Sequence, residues 1–233
     1  MNVTHTAEIF TSSVVAVGDF NPAIFSPDWL EGNKLIGKSD ADTVRESKSM
    51  ISSHQVTSFE TKWFALQVLE NRFSLTSKDA LSPALKDLAV GIFQLVPHTP
   101  VTAVGLNFLA HFKLTSEEEY HQVGDVLAPK EIWKTLYPDE IAGLAGLTIR
   151  IQRGVRGEPM KTKDEKQISV QSSNKFKFGV FLAYNDHHDV SAPSEDNLRP
   201  AERVATIIEK GWEASWKDSV RAFDGLLSMA LKK

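Results

Sequence analysis

The chain has 233 residues, 42% of them hydrophobic and 24% charged, an ordinary globular composition long enough to bury a sizeable core. Its formal net charge of −4 gives no global pull toward nucleic acid or an anionic membrane. With no cysteine at all, disulfides, thiolate metal sites, iron–sulfur clusters and a cysteine nucleophile are excluded together.

Residues 1–20 lack the basic flank and continuous apolar core of a signal peptide. No apolar run approaches the ~20 residues needed to cross a bilayer. A soluble, cytoplasmic protein is the expectation.

The first strong apolar run, Val14-Val15-Ala16-Val17, ends at Gly18, Asn21 and Pro22 and reads as a strand entering a turn. Ser26 and Pro27 then predict the cap and first position of a short helix. Residues 37–53 are polar, a loop or an exposed short helix. Strands are predicted over 56–60 and 63–69, where Phe64, Leu66 and Val68 alternate with smaller or polar residues. Phe73 and Leu75 continue the alternation beyond a turn, so a hairpin is expected. Ser82-Pro83 opens a helix with Leu85, Leu88, Ala89, Ile92 and Phe93 on one face.

A long strand follows over 101–114, then a helix capped by Ser116 with three acids in its first turn. Further strands are predicted over 147–151, 168–171 and 176–184. A single apolar stripe through Val204, Ile208, Trp212, Trp216, Phe223 and Leu227 predicts one helix over 200–231. The expected fold is α+β: a mainly antiparallel sheet, in one piece or as two related half-sheets, backed by helices and ending in a long C-terminal helix. Residues 1–233 read as a single unit, with 1–115 and 116–233 as alternative sub-lobes. No regular βαβ alternation supports a dinucleotide-binding fold.

Motifs for chemistry are incomplete. No phosphate loop or serine elbow occurs. Asp186-His187-His188-Asp189 resembles part of a metal-dependent phosphoesterase signature, with Asp40-Ala41-Asp42 as a second element. Its partner motifs are missing, and a polar turn before the last helix is the preferred reading. Glu118 and His121 on the 117-onward helix lack the second helix that a di-metal bundle needs. No catalytic residue, metal ligand or cofactor is assigned.

Two surfaces stand out instead. Residues 150–177 hold eight cations against three anions, which predicts an exposed basic hairpin. Arg150, Arg153, Arg156, Lys161 and Lys163 are its candidates for contact with nucleic acid or an acidic partner. The aromatics Phe25, Trp29, Trp212 and Trp216 are candidates for a protein interface.

The strings Pro100-Val101-Thr102-Ala103-Val104-Gly105-Leu106-Asn107-Phe108, Arg72-Phe73-Ser74-Leu75 and Phe223-Asp224-Gly225-Leu226-Leu227 carry a resemblance. In order and in residues they are similar to a sporadically distributed family of uncharacterised bacterial proteins. The resemblance implies a bacterial or phage accessory protein and supplies no functional residues. The leading expectation is a non-enzymatic binding or assembly protein with a protein partner or a second copy, away from membranes. A nucleic-acid-associated protein is the alternative, and a metal-dependent phosphoesterase the third.

Overall fold

Period-two alternation of apolar side chains organises the described residues around nine strands. The computed structural model describes residues 3–78, 82–152, 163–191 and 197–232. The strands are β1 (Ile9–Gly18), β2 (Ile51–Ser52), β3 (Val56–Glu60), β4 (Phe64–Leu69), β5 (Arg72–Ser77), β6 (Val101–Lys113), β7 (Gly146–Gln152), β8 (Glu165–Ser172) and β9 (Gly179–Asp189). The helices are α1 (Pro27–Gly32), α2 (Lys38–Glu46), α3 (Pro83–Leu95), α4 (Glu117–Leu127), α5 (Glu131–Leu136) and α6 (Pro200–Ala230).

All nine strands join one sheet in the order β2-β3-β4-β5-β1-β6-β9-β8-β7. Every neighbouring pair is antiparallel. The fold is therefore α+β with a single antiparallel sheet, not two half-sheets. The long pairing of β6 with β9, in which Asn107 faces Asn185, carries the ladder across the 115/116 boundary.

One face of the sheet is apolar. Val14, Ala16, Leu66, Val68, Phe73, Leu75, Leu106, Phe108 and Leu182 project from it into one continuous core beneath α3 and α6. At ~1.5 Å per residue the 31 residues of α6 reach ~46 Å, enough to cross several strands at their ~4.8 Å spacing. Its ring contacts follow that path: Trp212 meets Phe108 of β6 at 5.2 Å between centroids, and Phe223 meets Phe112 at 6.3 Å. The opposite face carries small or polar side chains, among them Ser13, Thr76, Gly105, Asn107 and Asn185.

Local signals act as their chemistry dictates. The hydroxyls of Ser26, Ser82 and Ser116 accept hydrogen bonds from the backbone N–H groups of Trp29, Leu85 and Glu119, three residues on. Gly18 is required where the β1–β6 register shifts, because a Cβ there would lie 2.2 Å from the Pro100 carbonyl oxygen. Two features depart from expectation. The string Asp186–Asp189 is not a turn; it forms the last four residues of β9. Residues 131–136 form α5, which the hydrophobic pattern had not marked. No helix among the described residues is long and apolar enough to cross a membrane.

Candidate interaction surface

The aromatics proposed for an interface do other work. Phe25 is 1% exposed and packs on Phe20, Trp29 and Phe73. Trp212 is 3% exposed on Phe108. Rings this deeply placed hold the chain's own core together. Trp29 is half-buried against Phe25, and Trp216 is wedged edge-on against Phe10 at 4.5 Å. The apolar stripe of α6 thus faces the sheet.

The basic segment is divided by the strand pleat. Arg150 lies on β7, with its Nε 3.7 Å from Glu165 on β8. Lys163 is exposed, 3.5 Å from Asp189. Arg153, Arg156 and Lys161 lie outside the described residues. Lys166 points to the helix side, where it binds Asp218 of α6. Lys175 and Lys177 occupy the β8–β9 turn, at the far end of a strand ~27 Å long. The described cations of 150–177 therefore fall on two faces and at two ends of the hairpin.

The pleat also separates the four residues of the Asp-His-His-Asp string. Asp186 and His188 point toward α6, while His187 and Asp189 share the opposite parity. Asp186 accepts a hydrogen bond from Ser215 of α6 and lies 3.5 Å from His188 Nε2. That His188 contact is an ion pair rather than a formed hydrogen bond. On its other side, His188 Nδ1 is 3.6 Å from Asp164. Farther along α6, Asp218 accepts from Tyr184 Oη at 2.7 Å and from Lys166 Nζ, and its second oxygen accepts from Arg221 Nε at 3.1 Å.

These charges neutralise one another. Burial pulls the His188 pKa down, but the carboxylates of Asp186 and Asp164 outweigh it and hold the imidazole above its usual range. Burial pushes Asp186 up, and His188 and Ser215 reverse that to leave it low. Burial and the Asp218 hydrogen bond raise the Tyr184 hydroxyl, keeping it a donor at any ordinary pH. Among the described residues, no group of three or more His, Asp or Glu side chains is placed to hold a metal ion. The arrangement is a polar clasp between β8, β9 and α6.

The clasp has a pH signature. A folded-state pKa raised above the unfolded value, ~6.5 for histidine, gives stability that is full below that value and lost as pH rises through the folded one. The stability difference between the wild type and His188→Gln is therefore expected to narrow from pH 6 to pH 9. Urea titrations at several pH values measure it, and a gap that widens with pH would contradict the ion pairs described.

Most of the exposed large apolar side chains lie elsewhere, in the stretch that carries the end of α4, α5 and β7. Residues 128–144 leave the C-terminal end of α4 and return beside it. The departure is fixed by Lys130, a buried lysine whose Nζ donates to the Gly124 carbonyl at 3.0 Å and the Ala128 carbonyl at 2.5 Å. The return is fixed by Leu144, close enough that a Cβ on Gly124 would meet it at 3.4 Å. Between these anchors α5 buries none of its residues. Ile132 is 71% and Leu136 62% exposed, Trp133 and Tyr137 are about half exposed, and Ile141 is fully exposed. Positions i, i+1, i+4 and i+5 share one helical face, so α5 is an amphipathic helix with its apolar side in solvent.

Immediately after Leu144 comes β7, the last strand of the sheet, with Ile149 and Ile151 half exposed on its helix side. A cleft of about 110 Å³ lies between α4 and the ends of β8 and β9, lined by Tyr120, Gly124, Leu144 and Val170. It falls below the ~300 Å³ typical of small-molecule pockets. No protein-family model matches the chain, and no curated protein sequence matches it.

This surface was missed in the sequence because Ile132, Trp133, Leu136 and Tyr137 occupy barely two turns. A window of 11 or more residues, the length at which periodicity becomes informative, dilutes so short a stripe.

Proposed function

We propose that this chain is a non-catalytic binding and assembly protein whose working surface is the flank formed by residues 126–151. One observation carries the reading. Among the described residues, eight of the fifteen exposed large hydrophobic side chains fall within this stretch, although it is a small part of the chain. Scattered single apolar residues need no explanation, whereas concentration on one flank marks an interaction site. The polar clasp, by contrast, spends its histidine and carboxylates on internal ion pairs.

The double variant Trp133→Glu, Leu136→Glu tests the proposal. Neither residue is buried, so the thermal midpoint is expected to stay within about 2 °C of the wild type. Association, read as molar mass by light scattering and as retention of any partner that co-purifies from the native host, is expected to be lost. A wild type that is strictly monomeric, and that holds no partner the double variant does not also hold, overturns the reading.

A further inference from the structure

The two edges of the sheet are built differently. One edge is β2, only two residues long, a length that gives another strand little to pair with. The other is β7, seven residues long, free of proline and lysine and paired to β8 without interruption. It has no strand on its outer side among the described residues. A long, regular edge with apolar side chains invites another strand unless something covers it.

The sequence of β7 selects what pairs with it. Two copies of one strand, joined antiparallel, are related by a two-fold axis through the sheet. Residues directly opposite must share a face, so only residue-centred registers are allowed. Centring on Arg150 sets arginine against arginine. Centring on Thr148 leaves Ile151 and Gln152 without partners. Centring on Ile149 pairs all seven residues: Ile149 faces Ile149, Leu147 faces Ile151, and Arg150 faces Thr148. The helix-side face then becomes a row of apolar side chains, and no like charges meet on the other.

We propose that the occupant of this flank is a second copy of the chain, joined through antiparallel β7–β7 pairing centred on Ile149 to give a continuous eighteen-stranded sheet. This rests on the flank being an assembly surface and adds the partner and the register. The pairing is isologous and closes at two copies, because each chain has one such edge. Seven residues of strand are a small seam, and the exposed apolar side chains of α5, ten residues earlier in the same stretch of chain, are its proposed extension. Together their exposed apolar residues present on the order of 600 Å² per chain, somewhat less than the ~800 Å² each partner commits in a standard stable interface.

The absence of native cysteine makes the register directly readable. In this pairing the two Ile149 Cα atoms stand ~4.5–5.5 Å apart, within disulfide reach. The two copies of residue 147, or of residue 151, are ~14 Å apart and out of reach. Under mild oxidation, Ile149→Cys is expected to form a covalent dimer. Leu147→Cys and Ile151→Cys alone are expected to stay monomeric on a denaturing gel, while an equimolar mixture of these two cross-links. Ile149→Arg, which sets two cations face to face, is expected to halve the mass seen by light scattering from twice 25.9 kDa.

Cross-linking of Ile149→Cys no faster than of Glu213→Cys, an exposed position on α6, overturns the register. Should the wild type still form a dimer that Trp133→Glu, Leu136→Glu dissolves, the β7 pairing falls and the assembly reading stands. A wild type that is monomeric and partnerless brings down both.

Discussion

Replacing Phe108 with alanine is expected to lower the unfolding free energy by about 4 kcal/mol. Phe108 lies fully buried at the middle of β6, the strand on which α6 rests. Its ring centroid is 5.2 Å from Trp212, 5.9 Å from Trp216 and 6.3 Å from Tyr184. Truncation removes the transfer energy of a ring and leaves a cavity bounded by three more rings. These are anchored on a helix and a strand and have little freedom to close the gap. For a chain of this size the midpoint of thermal unfolding is expected to fall by roughly 10 °C. Urea titration followed by tryptophan fluorescence reports both the loss and the disturbance at Trp212 and Trp216. A loss below about 1.5 kcal/mol would show that α6 does not pack as described.

Asp218→Ala is expected to cost about 2–3 kcal/mol near neutral pH. The carboxylate is largely buried and accepts from Lys166, Tyr184 and Arg221 at once. Removing it strands a partly buried ammonium and a buried phenol hydroxyl, while Arg221 can turn to solvent. The larger part of the loss comes from the groups left behind, so Lys166→Met in the same chain is expected to restore roughly half of it.

The pH dependence of Asp218 runs opposite to that of His188. Burial raises the Asp218 pKa, but hydrogen bonds from Lys166, Arg221 and Tyr184 prevail and hold it well below the usual carboxylate range. A depressed folded pKa gives stability that is present above the unfolded value, ~3.9, and lost as pH falls through the folded one. The difference between the wild type and Asp218→Ala should therefore be flat from pH 5 to 8 and shrink below pH 4. A difference that does not shrink at all between pH 4 and pH 2 would point to packing rather than charge.

The parts of the fold legible in the sequence are those in which one residue reports one local interaction. Ser26, Ser82 and Ser116 announced their helices because a cap hydroxyl acts three residues away. The stripe of α6 was legible because it runs for eight turns against a flat apolar face. The strand order was not, since the contacts of β1 with β5 and β6 depend on residues far along the chain. The end of β9 was misread for a chemical reason. Its Asp186 and His188 look like turn residues until Ser215 and Asp164 are seen to satisfy them. At the candidate surface, Arg150 was noticed for its charge, whereas the isoleucines on either side of it carry the apolar face.

The central position of β1 has a consequence for the nascent chain. β1 must wait for β5 and then for β6, and each pairing closes a long loop before its contacts repay the lost chain entropy. Half of the cover comes later still: α3 precedes β6, but α6 follows all nine described strands, and until it is made Leu106, Phe108 and Leu182 lack the helix that packs on their side of the sheet. Synthesis therefore passes through a stage in which a nearly complete sheet displays a greasy face that only α3 covers. Chaperone demand and misassembly during expression should concentrate in that interval.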